Sequence, residues 1–150
     1  MIGQPCPLFT LPSTSGETFS LATMDKPLVM YFYPKDHTPG CTNESIAFRD
    51  SFAHFQAIKT HIVGISRDSL KTHYAFKEKL ALPFDLLSDT EETVCTLFDV
   101  IKTKMLYGRQ VRSIERSTFI IDSHNTIVKE WRALKVAGHV QEVLTFLQSL

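Results

Sequence analysis

The sequence predicts a single α/β domain over residues 1–150, with a mixed central sheet, helices on both faces and a β-hairpin at the N-terminus. Three observations lead there. Apolar runs alternate with segments of helical periodicity from residue 28 to about 101, the pattern of βα units around parallel strands. A pair of strand-like segments joined by a short turn follows, which adds antiparallel pairing and makes the sheet mixed. The 150 residues, 43% hydrophobic and 21% charged, fit one compact domain and contain no linker, repeat or low-complexity stretch.

In chain order, Phe9-Thr-Leu11 and Thr18-Phe-Ser-Leu21 flank Pro12-Ser-Thr-Ser-Gly16 and read as a short hairpin. Leu28 to Tyr33 is continuously apolar, as in a strand buried on both faces. Phe48, Phe52 and Phe55 recur at spacings of four and three, predicting an amphipathic helix from about Thr42 to Lys59. Ile62-Val-Gly-Ile65 is a second buried strand, and Asp68-Ser69 opens a helix from about Leu70 to Leu80 that ends before Pro83. Phe84-Asp-Leu-Leu87 is a third strand. Ser88-x-x-Glu91 and Asp89-x-x-Glu92 are capping-box patterns for a helix with Val94, Leu97, Phe98 and Ile101 on one face. Ser117 to Asp122 and Thr126 to Trp131, joined by Ser-His-Asn, form a second hairpin. A last amphipathic helix carries Val140, Val143, Leu144, Leu147 and Leu150.

Sixteen basic residues balance sixteen acidic ones, which removes the electrostatic footprint expected of a nucleic-acid or anionic-membrane binder. No leader-like N-terminus and no run approaching ~18 apolar residues is present, so a soluble, cytoplasmic protein is expected. Cys6, Cys41 and Cys95 are odd in number and without CxxC spacing, which argues against a disulfide framework. Six scattered histidines without metal-ligand spacing predict no metal site, and no cofactor motif is present.

Cys41 carries the chemical signal. Tyr31-Phe-Tyr-Pro-Lys-Asp-His-Thr-Pro-Gly-Cys-Thr-Asn-Glu44 takes an apolar strand into a polar loop and delivers a cysteine to the first turn of a helix. Unpaired amides and the positive end of the helix dipole favour thiolate there, lowering thiol pKa values from ~8.5 to between roughly 3.5 and 7.5. The competing reading, a small core thiol, has no need of Thr38-Pro39-Gly40 immediately before it. His37 is close enough in sequence to be weighed as a base, although loop histidines are commonly just solvated. Cys95 lies beside an apolar stripe and reads first as a core residue.

These residues carry a resemblance. Pro34, three residues, Thr38, two residues and Cys41 reproduce the active-site pattern of the peroxiredoxins. The longer signature from Tyr31 to Glu44 resembles their bacterioferritin-comigratory, or peroxiredoxin Q, group. Phe48-Arg-Asp50, Leu87-Ser-Asp89, Phe98-Asp-Val100 and Glu115-Arg-Ser-Thr-Phe-Ile-Ile-Asp122 match in order across nearly the whole chain. The resemblance implies a thioredoxin-like fold and a thiol peroxidase that reduces hydrogen peroxide and organic hydroperoxides through a Cys41 sulfenic acid. It assigns Arg116 as an active-site arginine, with Thr38 as a second donor and Pro34, Pro39, Gly40 and Glu44 as support, Glu44 holding Arg116.

Donors are required on chemical grounds. Dropping a thiol pKa from ~8.5 to ~6 raises its thiolate fraction at neutral pH about thirtyfold, but a Brønsted slope of ~0.4 to 0.5 returns roughly tenfold of that. Fast peroxide reduction therefore needs groups aimed at the oxygens as the O–O bond stretches.

The chain departs from the group in recycling. Relatives place a resolving cysteine five residues after the peroxidatic one or in the helix after the second strand, positions held here by Ile46 and about Lys77. A one-cysteine cycle is expected, with glutathione, glutaredoxin or thioredoxin as external thiol; Cys95 is the remaining candidate for an internal resolver. A monomer is expected. The competing function is a peroxide sensor or holdase-like protein that uses the same oxidation without turnover.

Overall fold

The computed structural model describes residues 1–150. A hairpin of β1 (Thr10–Pro12) and β2 (Thr18–Ser20) sets Leu11 opposite Phe19, both buried. The chain then runs through β3 (Leu28–Phe32), α1 (Pro39–Asp50), α2 (Phe52–Ala57), β4 (His61–Ser66), α3 (Leu70–Leu80), β5 (Asp85–Ser88) and α4 (Thr93–Leu97). It closes with β6 (Ile101–Leu106), β7 (Arg109–Ile114), β8 (Ser117–Ile121), β9 (Ile127–Trp131) and α5 (His139–Gln148). Five strands form the main sheet in the order β5-β4-β3-β8-β9. β3, β4 and β5 are parallel, whereas β8 runs antiparallel to β3 and β9 antiparallel to β8, so the sheet is mixed as expected.

Every residue of β3 is buried because both faces of the sheet are covered. The two-residue period divides its side chains between two cores. Leu28, Met30 and Phe32 pack with Phe9, Phe19, Phe98 and Phe119 beneath the N-terminal hairpin and α4. Val29, Tyr31 and Tyr33 pack with Phe48, Phe55, Phe76 and Leu144 beneath α1, α2, α3 and α5. Each fully buried aromatic contributes about 1.5–3 kcal/mol of transfer free energy, so the central strand is fixed from both sides.

Four local expectations are corrected. The helix expected over 42–59 is two, because Ser51 leaves helical geometry at φ −99° and ψ 3°; Phe48 and Phe55 still reach the core, while Phe52 is only half-buried. α4 stops at Leu97, since Asp99 takes a left-handed conformation at φ 53°, and Ile101 begins a strand instead of extending the helical stripe. Neither capping box forms. The Asp89 carboxylate instead accepts from the Val94 and Cys95 amides at 3.3 and 2.7 Å, reaching α4 from farther upstream. Leu150 lies beyond α5 and is 67% exposed.

The β6–β7 hairpin is an addition the sequence reading lacked. Its two strands are mostly exposed, so they show none of the apolar alternation by which strands are recognised. The available signal was Tyr107-Gly108, whose positive φ angles of 51° and 75° suit the two-residue hairpin turn.

Candidate active site

Sheet topology brings the site together. The β3–β8 register sets Phe32 opposite Ser117, so the link Glu115-Arg116 between β7 and β8 lies beside the end of β3. From that end the chain leaves through Pro34 to Thr38 and enters α1 at Pro39. Arg116 thereby meets a cysteine 75 residues earlier.

Cys41 is the third residue of α1 and 1% exposed. Thr38 is the N-cap, extended at φ −92° and ψ 151°, and Pro39 occupies the first helical position, where a missing N–H costs no helical bond. The first-turn amides have no intrahelical partner. The Thr38 hydroxyl donates to the Lys35 carbonyl at 2.8 Å. In this arrangement its proton is engaged with the loop, and the oxygen keeps its capacity to accept.

The Arg116 guanidinium spans two partners. Its Nη1 donates to Glu44 Oε1 at 2.8 Å and its Nη2 to Cys41 Sγ at 3.4 Å. Glu44 lies one turn along α1 from Cys41, which puts carboxylate and sulfur on the same side of the helix. Gly40 permits the approach, because a Cβ there would stand 3.1 Å from Arg116 Nη2. Glu44 is fully buried and its Oε2 has no partner. Burial raises its carboxyl to about 7, against the pull of Arg116. Burial works against the Arg116 charge as well, but Glu44 and the Cys41 sulfur outweigh it and hold the guanidinium above its ordinary value.

Pro34 is half-buried and Pro39 exposed at the rim of the loop. A cavity of about 590 Å³ opens beside Pro34 and Arg116, walled by Lys102, Lys104, Ala133 and Leu134. A larger cavity of about 740 Å³, lined by Phe52 and Phe84, touches none of the site residues. His37 stands with its ring edge-on to Phe76 at 5.2 Å and makes no bond to Cys41.

The other thiols lie elsewhere. Cys6 and Cys95 belong to the core under the N-terminal hairpin, across the sheet from Cys41. Burial, partly offset by Lys26, pushes the Cys6 thiol up to about 12; burial and then the hydrogen bond to Asp89 push Cys95 up as well. Ile46 is packed against the Cys41 core, and Lys77 is paired with Asp85 at 2.7 Å.

The profile of the AhpC/TSA family matches residues 2–130. Peroxiredoxin Bcp of Bacillus subtilis is 47% identical over 150 residues, covering 99% of this chain and 96% of that protein. This chain belongs to the peroxiredoxins. The "Putative peroxiredoxin bcp" of Coxiella burnetii is 46% identical over 144 residues, with 95% of both chains covered. Among solved structures, Xanthomonas campestris peroxiredoxin Q superposes with a TM-score of 0.89 at 44% identity, covering 94% of this chain and 90% of that one. Xylella fastidiosa PrxQ gives a TM-score of 0.94 at 39% identity, covering 99% and 96%. The fold is therefore the thioredoxin-like fold of the family, and the protein is a thiol peroxidase of the Bcp and peroxiredoxin Q group.

Asp36 and His73, neither of them marked in the sequence of this peroxiredoxin, form a buried pair at 2.6 Å beneath the site. A charged residue inside Lys-Asp-His-Thr carries no local mark of burial. His73, on the stripe that α3 turns inward, was masked by the aromatic residues around it.

Proposed function

We propose that this peroxiredoxin reduces hydrogen peroxide and organic hydroperoxides through Cys41 in a one-cysteine cycle completed by an external thiol. The observation that carries the reading is the Arg116 guanidinium, held by Glu44 at 2.8 Å and donating to the Cys41 sulfur at 3.4 Å. A fixed cation beside an anionic nucleophile, at the start of a helix, stabilises charge where the reaction needs it.

The Cys41 thiolate attacks the terminal oxygen of the peroxide. An S–O bond forms as the O–O bond breaks, the pair of electrons leaves on the departing oxygen, and that alkoxide or hydroxide takes a proton to become alcohol or water. Sulfur is oxidised to sulfenic acid and the peroxide is reduced. Arg116, with the first-turn amides, donates to the oxygens during transfer. Thr38 Oγ1, its own proton given to Lys35, accepts from the peroxide O–H and orients it. An external thiol then displaces the sulfenic oxygen as water, leaving a mixed disulfide that a second thiol opens.

Cys95 and Cys6 in the opposite core, and Ile46 and Lys77 at the two resolving positions, support the external route. Alkyl peroxide reduction is attributed to the Xanthomonas campestris bacterioferritin comigratory protein, 43% identical, which supports organic hydroperoxides as substrates. Repeated turnover with glutathione or thioredoxin, and dimedone labelling of Cys41 when thiol is withheld, would bear this out. One equivalent of peroxide consumed and no more, with excess reductant, would overturn it in favour of a sensor.

A further inference from the structure

Beneath the loop that leads from β3 into the Cys41 helix lies a polar network the peroxide chemistry does not use. Asp36 is buried on that loop, and its two carboxylate oxygens are both engaged. Oδ1 accepts from the Tyr33 hydroxyl at 2.6 Å and Oδ2 meets His73 Nδ1 at 2.6 Å. His73, on α3 and fully buried, places Nε2 2.9 Å from the Leu87 carbonyl of β5. Each ring nitrogen thus lies within hydrogen-bond distance of an oxygen on a different element, Asp36 on one side and Leu87 on the other. The Asp36 amide donates in turn to Asp68 Oδ2 at 2.9 Å, an oxygen that also accepts from Ser66 Oγ at 2.6 Å. One short loop is thus tied to Tyr33 just beyond β3, to the β4–α3 turn and to α3, and through His73 to β5.

The residues after Asp36 depend on those ties. His37 holds a left-handed φ of 63°, uncommon for residues other than glycine, and leans on Phe76 of α3. Thr38 closes onto Lys35 at 2.8 Å, and its own carbonyl accepts the Thr42 amide at 2.8 Å, which winds the turn holding Cys41. Cys41 is only 1% exposed in this arrangement, so a bulky thiol attacking the sulfenic sulfur requires the loop to move.

We infer that Asp36 and His73 are positioning residues for Cys41: their buried pair holds the loop in the form that reacts with peroxide, and its release exposes the oxidised cysteine to the external thiol. The inference rests on the reading that Cys41 is the cysteine oxidised. It assigns opposite effects to one interaction, which an ordinary stabilising contact would not have. Weakening the pair slows the peroxide step and speeds the thiol step.

Two near-isosteric substitutions separate the ring's two bonds. In His73→Asn the amide nitrogen stands near the place of Nδ1 and keeps the contact with Asp36; in His73→Gln it stands near the place of Nε2 and keeps only the contact with Leu87. Stopped-flow oxidation by hydrogen peroxide and, separately, reduction of the preformed sulfenic acid by glutathione would be measured for both, with Asp36→Ala and Tyr33→Phe alongside. Asp36→Ala and His73→Gln are expected to lose between about 10-fold and 10²-fold in peroxide rate constant, the scale on which a displaced reacting group loses rate. The same two should gain at least about threefold in the glutathione step, while His73→Asn stays within about threefold of wild type in both. Equal slowing of both steps, or no difference between His73→Asn and His73→Gln, would overturn the inference. Tyr33→Phe, which removes one hydroxyl and little volume, should shift both rate constants in the same opposed sense; unchanged rates there would also count against it. A wild-type protein that forms no sulfenic acid at Cys41 would defeat the underlying reading instead.

Discussion

Cys41 and Cys95 lie in different hydrophobic cores, on opposite faces of the same five-stranded sheet. Between them stands β3, buried at every position, whose alternating side chains fill both cores. A disulfide needs Cα atoms within about 7 Å, so joining these sulfurs would require one of them to leave its core. Cys6 shares the Cys95 side. Resolution from within this chain would cost packing that a local loop movement at Cys41 does not.

The cysteine substitutions should therefore separate cleanly. Cys41→Ser is expected to abolish peroxide consumption with the circular dichroism spectrum unchanged, because it removes the nucleophile and little volume. Cys6→Ser and Cys95→Ser should leave the first oxidation within about twofold, while lowering stability by about 1–3 kcal/mol as buried hydroxyls replace thiols. Peroxide consumption by Cys41→Ser at a comparable rate would contradict the mechanism.

Arg116→Met should slow oxidation roughly 10²-fold or more, the scale for losing one preorganised donor to a developing charge. Thr38→Val should also slow it, by removing both the acceptor for the peroxide O–H and the bond to Lys35. Stopped-flow measurement up to high pH distinguishes this from loss of thiolate. Full recovery of the rate there would mean that these residues act only on ionisation.

Gly40→Ala offers the reverse combination. Alanine in a helix gains up to about 1 kcal/mol over glycine, and Gly40 does not have a positive φ. The added Cβ would meet Arg116 Nη2 at 3.1 Å, so the guanidinium must shift. Thermal stability should hold or rise while the peroxide rate constant falls. A rate equal to wild type would show that the placement of Arg116 is not critical.

Glu44 gives the site a pH signature. Its carboxyl is raised from 4.5 to about 7 in the folded chain, so between those values the unfolded chain has released a proton that the folded one keeps. Stability accordingly falls as pH rises through this window, by on the order of 3 kcal/mol, and the contribution is fully present only below about 4.5. Glu44→Gln lacks the ionisation. Urea unfolding from pH 4.5 to 8 should show its stability gaining on wild type as pH rises; a constant gap would contradict the assignment. The peroxide rate per thiolate should fall below about pH 7 in wild type, as Glu44 loses the charge that holds Arg116, and be lower but flatter in Glu44→Gln.

The parts of the fold that bury regular apolar patterns were legible in the sequence. Leu28 to Tyr33 read as a two-sided strand because both its faces are covered, and Val140 to Leu147 read as a helix because one face is. The β6–β7 hairpin escaped because its strands cover nothing, and the break at Ser51 because Phe48 and Phe55 keep a helical spacing across it. In the site, Cys41 announced itself through the local Thr-Pro-Gly that starts its helix. Arg116 depended on family resemblance, since its approach is made by a strand pairing that no local pattern encodes. The Asp36–His73 pair depended on burial from four elements and had no local signal.

The most direct test of a one-cysteine cycle is intact-mass analysis with peptide mapping after one equivalent of hydrogen peroxide, with no thiol present. The expected result is the gain of one oxygen at Cys41, converted to a glutathione adduct when glutathione is added, and carried on to sulfinic acid when peroxide is in excess. A loss of two hydrogens, mapped to a disulfide between Cys41 and Cys95 or Cys6, would contradict it.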